Sequence, residues 1–192
     1  MDCDERCDPQ TVREFTHKSN IQIEHMLSAM EEFRSFFKPN KHTQTFYVKD
    51  TIESVLRLMR DELMKYQIHT EITDNTPMRI EGIENEFKHL LLNLINNAKD
   101  AFEENGIKDK KLEFILSQDS GRKRLMVKDN AGGIDEDVLQ TLFKPNVTTK
   151  TEDRGSGIGL YLSSQIAYKH NGKLYAKNHE NGACFIFEKV VP

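Results

Sequence analysis

Apolar positions along the chain follow two different periods, and the change from one to the other divides it. From Pro9 to Phe37 they fall in two rows, Val12, Ser19, Met26, Phe33 and Thr16, Ile23, Met30, Phe37. This is a heptad seam, so the spacing predicts a long helix that calls for a partner helix. Pro39 ends it, because the residue before a proline is disfavoured in helix. "TFYV" at Thr45–Val48 reads as a short strand. Asp50 and Glu53 then offer a capping box for a helix carrying Ile52, Val55, Leu56, Met59 and Leu63. "IHTEIT" and "MRIEG" read as two short strands joined by a turn at "DNTP". Glu84–Phe102 is a strong helix with Phe87, Leu91, Leu94, Ile95, Ala98 and Phe102 on one face. "KLEFILSQ" and "KRLMVKD" flank "DSGR" as a hairpin, and "DEDVLQTLF" is a short helix followed by the polar loop "KPNVTTKTEDR". A last helix from about Gly157 to His170 stops at Asn171 and Gly172, and "KLYAKNH", "ENG" and "ACFIFEKVV" form a second hairpin. The expected class is α+β, with helices segregated from a mixed sheet built largely of hairpins.

Composition narrows what such a fold can do. At 192 residues, with 37% hydrophobic and 30% charged residues, the chain can bury a real core beneath a well-solvated surface. A net charge of −4 gives no general reason to bind nucleic acid or an anionic membrane. No apolar run of about 18 residues and no signal peptide precede or interrupt the pattern, so a cytoplasmic chain is expected, one that a membrane-anchored parent could also contain. Cys3 and Cys7 lie in a polar tail and Cys184 in an apolar strand, an odd number without metal spacing that fits a reducing compartment.

Three polar clusters interrupt the core pattern. In "NLINNA", Asn93 and Asn97 are four apart on one helix face, with Asp100 one turn further. Their oxygens could hold a hard cation such as Mg²⁺ where a triphosphate supplies other ligands, and ordinary helix-surface amides would explain them equally. In "KDNAGGID", Asp129 ends an apolar strand ahead of Ala131, Gly132 and Gly133. A flat ligand could lie against that bare backbone while the carboxylate accepts from a ring amino group, and a plain Gly-Gly turn is the simpler alternative. In "DRGSGIGLYLSSQI", Gly155, Gly157 and Gly159 precede a helix, and exposed N–H groups at its positive end suit phosphate. No Lys-Ser or Lys-Thr follows, as a P-loop requires, and no βαβ unit surrounds it, as a dinucleotide fold requires.

In combination and order these clusters resemble the ATP-binding module shared by sensor histidine kinases, DNA gyrase, the Hsp90 chaperones and MutL. "NLINNA" matches that family's N box, "DNAGGI" and "GSGIGL" its two glycine boxes, and "LFKPNVTTK" its F box, so that the resemblance covers Phe46–Val191. "EEFRSFFKPNK" resembles the end of the second helix of the histidine kinase dimerisation and phosphoacceptor hairpin. The resemblance implies a two-layer α/β sandwich of the Bergerat type, a mixed sheet covered by helices on one face and preceded by a long helix. It divides the chain into a disordered tail (1–8), the second hairpin helix (9–41, first helix absent) and a catalytic ATP-binding domain (42–192).

The same resemblance implies ATP and Mg²⁺ as cofactors. Asn97 would ligate Mg²⁺ and Asn93 contact the phosphates or metal shell; Asp129 would receive the adenine amino group beside Gly133 and Ile134. Gly155, Ser156, Gly157, Ile158, Gly159 and Leu160 would form the phosphate loop. Thr149 and Lys150 belong to a lid over Lys144–Ser156, with Lys150 reaching the γ-phosphate and Phe143 anchoring the lid. Two positions depart from the pattern: Asp100 stands where many such kinases carry a basic residue, and Ala131 where a glycine is usual.

The implied activity is transfer of the ATP γ-phosphoryl group to a histidine. No His-Glu-x-x-x-Pro motif occurs, and His17 and His25 read as solvated helix residues, so the acceptor helix is expected in missing sequence or in trans. A response regulator receiver domain and a homodimer through residues 9–37 are the further partners implied, with no nucleic acid. The competing readings are an ATP-hydrolysing conformational switch and a non-catalytic or serine-kinase binding module of the same superfamily.

Overall fold

The computed structural model describes residues 42–144 and 159–190, all within a unit running from Asn40 to Pro192. The heptad helix with Cys3, Cys7, His17 and His25 lies outside the described residues, as do Thr149, Lys150, Gly155, Ser156, Gly157 and Ile158.

Strand β1 (Gln44–Tyr47) pairs antiparallel with β3 (Arg79–Gly82), placing Phe46 opposite Ile80. Helix α1 (Val48–Leu58) starts directly from the strand, with Tyr47 as its N-cap and no side-chain cap bond. Asp50 therefore sits inside the first turn, and the expected Asp50–Glu53 capping box does not form. Instead the Thr51 hydroxyl turns back and donates to the Tyr47 carbonyl, 3.0 Å away. Val48, Thr51, Ile52 and Val55 form the buried face. The helix is interrupted at Met59, where ψ is 5°, and resumes as α2 (Arg60–Lys65); Met59 and Leu63 stay buried across the break.

The two short strands expected to share a turn go to different sheets. β3 pairs with β1, whereas β2 (Ile68–Asp74) lies parallel to β4 (Lys110–Asp119) at the edge of a five-stranded sheet of order β2-β4-β5-β7-β6. Parallel neighbours need a long crossover, and here it contains α3 (Glu84–Glu104), the helix that covers the sheet. β5 (Arg122–Asp129) returns antiparallel from β4 through Ser120 and Gly121, both with positive φ, which is the backbone of a type I′ hairpin turn. β6 (Lys173–His179) and β7 (Gly182–Val190) form the second hairpin, with β7 against β5.

Alternation decides which face of the sheet is covered. Leu112, Phe114 and Leu116 of β4, Leu125 and Val127 of β5, and Phe185 and Phe187 of β7 are buried. They share one face with Phe87, Leu90, Leu91, Leu94, Ile95, Ala98 and Phe102 of α3, all buried as well. Phe87 meets Phe187 edge to face at 5.2 Å between centroids. Of "DEDVLQTLF" only a single turn is helical, α4 (Glu136–Leu139), before tighter turns carry the chain to Lys144.

Helix α5 (Gly159–Lys169) packs on α3. It ends with Asn171 at φ 54°, the Asn171 N–H donating to Tyr168 O and the Gly172 N–H to Ala167 O, each at 2.9 Å. This is a Schellman closure with asparagine in the left-handed position. Gly172 is needed for a different reason: a β-carbon there would lie 2.3 Å from the Phe187 ring. Among the described residues no helix is long and apolar enough to cross a membrane.

Candidate functional site

Helix α3 carries a polar row on an otherwise apolar frame, and that row meets α5 at Asn93. Asn93 donates through Nδ2 to the Gly159 carbonyl and to Ser163 Oγ, both at 3.2 Å, and Ser163 Oγ donates in turn to the Gly159 carbonyl at 2.9 Å. These bonds fasten the first turn of α5 to the middle of α3. One turn on, Asn97 is different: its Nδ2 is buried and has no hydrogen-bond partner among the described residues. A buried amide donor without a partner is uncommon and costs stability. Asp100 continues the row, half-buried on the same helix. No acidic residue occupies the first turn of α5, so the positive end of its dipole is not neutralised from within.

The second cluster sits where β5 ends. Leu125, Val127 and Asp129 alternate inward, and Asp129 is only 5% exposed. Its Oδ1 accepts the N–H groups of Ala131 at 3.0 Å and Ala183 at 3.1 Å, while Oδ2 takes neither bond. Burial pushes the Asp129 carboxyl above the ordinary carboxylate range; the two backbone bonds and the nearby His179 pull the other way without cancelling it. The following segment is bare backbone: Gly132 has φ 99° and Gly133 φ 86°, values that glycine alone adopts at no steric cost.

Sequence reasoning missed the side chains that hold this segment. Asn105, the C-cap of α3, donates to Ala131 O at 2.5 Å. Asn130 donates to Asp109 O at 2.7 Å and accepts from the Lys111 N–H at 2.8 Å. Asn178 on β6 grips the backbone of Ile134 twice, accepting its N–H at 2.8 Å and donating to its carbonyl at 2.7 Å. Gly182 lets β7 run against Asp129, since a β-carbon there would lie 1.7 Å from the Asp129 carbonyl oxygen. The sequence signal for these was slight: asparagines at an element end and a glycine in a hairpin turn are ordinary turn residues.

Thus the structure joins Asn93 to Gly159 at the middle of α3 and places Asp129, Gly133 and Ile134 together near its C-terminal end, where Asn105 reaches Ala131. Asn97 lies between, and Asn105 closes the row, about 18 Å along the helix from Asn93 at roughly 1.5 Å per residue. Phe143 and Leu160 are half-buried in described segments bordering the polar loop. Among the described residues no group of three His, Cys, Asp or Glu side chains could hold a metal ion.

Comparison with known proteins agrees with the fold. Residues 82–191 match the family described as histidine kinase-, DNA gyrase B-, and HSP90-like ATPase. The chain is 33% identical over 138 residues to the two-component sensor PprA of Pseudomonas aeruginosa, a match covering 70% of this chain and 15% of that protein. It is 34% identical over 107 residues to sporulation kinase A of Bacillus subtilis, covering 55% of this chain and 17% of that one. The chain thus spans less than a fifth of either relative. Among solved structures, the nucleotide-free catalytic domain of histidine kinase ThkA superposes with a TM-score of 0.67 at 30% identity, covering 78% of this chain and 95% of that domain.

Proposed function

Since the chain belongs to the histidine kinase-, DNA gyrase B- and HSP90-like ATPase family and carries its ATP-binding domain, we propose that it is the catalytic part of a protein-histidine kinase. It transfers the γ-phosphoryl group of ATP to an imidazole on another segment of a longer protein or on another chain. The observation that carries the reading is the buried, unpartnered amide nitrogen of Asn97, set on α3 between the start of α5 and the part of the site where Asp129 is buried. An Asn amide presents an oxygen or a nitrogen, so it suits a triphosphate and its cation.

In this reading the adenine amino group donates to Asp129 Oδ2, while Gly133 and Ile134 let the ring approach the backbone. The N–H groups of Gly155, Gly157 and Gly159, with Ser156, Ile158 and Leu160, take the phosphates at the start of α5. Thr149 and Lys150 cover the γ-phosphate, with Phe143 as the anchor of that lid and Asp100 at the outer edge of the site. Mg²⁺, held by Asn97 and the triphosphate oxygens, would supply charge neutralisation of the phosphates. The remaining work is positioning: the glycine amides and Lys150 hold the γ-phosphoryl group in line with the incoming imidazole nitrogen. The receiver domain of a response regulator is the expected downstream partner, and a homodimer through residues 9–37 the expected assembly.

Hydrolysis is the weaker reading, because Asn93 is an amide already engaged with Gly159 and Ser163 and has no basic group to activate water. The deciding experiment supplies labelled ATP, Mg²⁺ and a separately purified acceptor hairpin. Label on the acceptor histidine supports the kinase reading. Rapid release of free phosphate without acceptor, or ATP binding with no transfer, rejects it.

A further inference from the structure

We propose that Asn105, Asn130 and Asn178 are positioning residues that hold Asp129–Ile134 in its nucleotide-binding shape before nucleotide arrives, and thereby set affinity for adenine without touching it. The proposal rests on the reading of Asp129 as the adenine contact.

Each asparagine comes from a different place in the chain, and each ends on backbone. Asn105 reaches from the end of α3 to Ala131 O. Asn130 ties the loop to the start of β4 through Asp109 O and the Lys111 N–H. Asn178 comes from β6 and takes both polar backbone atoms of Ile134. Between the anchors at Ala131 and Ile134 lie only Gly132 and Gly133, both with positive φ. Two glycines in sequence have the greatest backbone freedom available and no side chain to restrain them, so their conformation must be imposed from outside. A loop already ordered in the free protein spares the ligand the cost of ordering it.

The residue type follows from the bonds. At position 178 a short amide offers an acceptor to one backbone group and a donor to the next. Aspartate would set an oxygen against the Ile134 carbonyl, and alanine would offer neither bond. Asn178 Oδ1 also stands 3.0 Å from where a β-carbon on Gly133 would lie, so clamp and glycine are fitted to one another.

The test measures binding of a non-hydrolysable ATP analogue by calorimetry, together with amide hydrogen exchange in the free protein, for the full chain and for Asn178→Ala, Asn178→Asp and Asn105→Ala. Exchange is read at Gly132, whose N–H bonds to Asn181 O and not to any of the three asparagines. The expected result is affinity weaker by about tenfold in each variant, no rescue by aspartate, and faster exchange confined to the loop. A role limited to global stability would instead raise exchange throughout the sheet. Wild-type affinity and wild-type Gly132 exchange in all three variants would overturn the proposal alone. A wild-type chain that binds no adenine nucleotide would overturn the underlying reading, and the proposal with it.

Discussion

Gly182 and Asp129 approach so closely that a β-carbon on residue 182 would fall 1.7 Å from the Asp129 carbonyl oxygen and 2.6 Å from its carbonyl carbon. Both atoms are backbone, so no side-chain rotation can relieve the overlap. Gly182→Ala is therefore expected to push β7 off the end of β5, destabilising the domain by about 3 kcal/mol, the upper range for overpacking. The Ala183 N–H would be drawn from Asp129 Oδ1 in the same movement. Chemical denaturation measures the first effect, and calorimetric titration with ATP analogue, expected to show weakened binding, measures the second.

Asp129 itself should separate stability from binding. Because burial raises its folded pKa, the folded state holds this proton more tightly than the unfolded chain does. The group's contribution to stability is thus full below the unfolded value of about 3.9 and is lost as pH rises through the raised folded pKa. At neutral pH the ionised side chain is a net cost to the fold. An asparagine in place of this aspartate would still accept from the Ala131 and Ala183 N–H groups but would turn an N–H₂ toward the adenine amino group. Asp129→Asn is expected to melt at the wild-type temperature or above at pH 7 and to lose nucleotide binding. Wild-type affinity should fall with acidification at a pH above the ordinary aspartate range. Lower thermal stability in Asp129→Asn at pH 7 would contradict this account.

The two asparagines of α3 should behave oppositely. Asn93→Ala removes bonds to Gly159 O and Ser163 Oγ and should cost about 1 to 2 kcal/mol of folding free energy, within the range for neutral hydrogen bonds. Asn97→Ala removes a buried donor with no partner, so the free protein should lose little stability or gain some. Metal-dependent nucleotide binding should nevertheless vanish in Asn97→Ala. Paired denaturation and titration of the two variants check both halves of the contrast.

Local periodicity made much of this legible in the sequence. The apolar face of α3, the asparagine row at Asn93 and Asn97, and the inward carboxylate ending β5 all follow from spacing within one element. What local pattern does not carry is partner choice. β2 and β3 look like one hairpin because a turn joins them, yet β2 pairs with β4 and β3 with β1. The loop clamps are invisible for the same reason, since Asn105 acts on a residue 26 positions away and Asn178 on one 44 away. At Asp50 the error was local: the capping box presumed a helix start that the strand β1 had already fixed at Val48.

His170 supports the site from the opposite end of α5. It is 1% exposed, with Nδ1 2.8 Å from Ile166 O and Nε2 3.2 Å from Ile83 O. Ile83 is the N-cap of α3, so the imidazole links the end of α5 to the start of the helix that bears the asparagine row. The ring also packs against Phe46 and Phe87 and occupies the space a β-carbon on Gly82 would need, 2.1 Å away. His170→Ala opens a cavity, a recognised source of large destabilisation, and removes the ring's contacts to Ile166 O and Ile83 O, which keep only the backbone N–H groups of residue 170 and Phe87. A loss of about 3 kcal/mol in chemical denaturation is expected. His170→Phe refills the volume without restoring the polar contacts, so it should recover only part of that loss. Full recovery with phenylalanine would mean that packing against Phe46 and Phe87, and not the link to Ile83, is what this histidine provides.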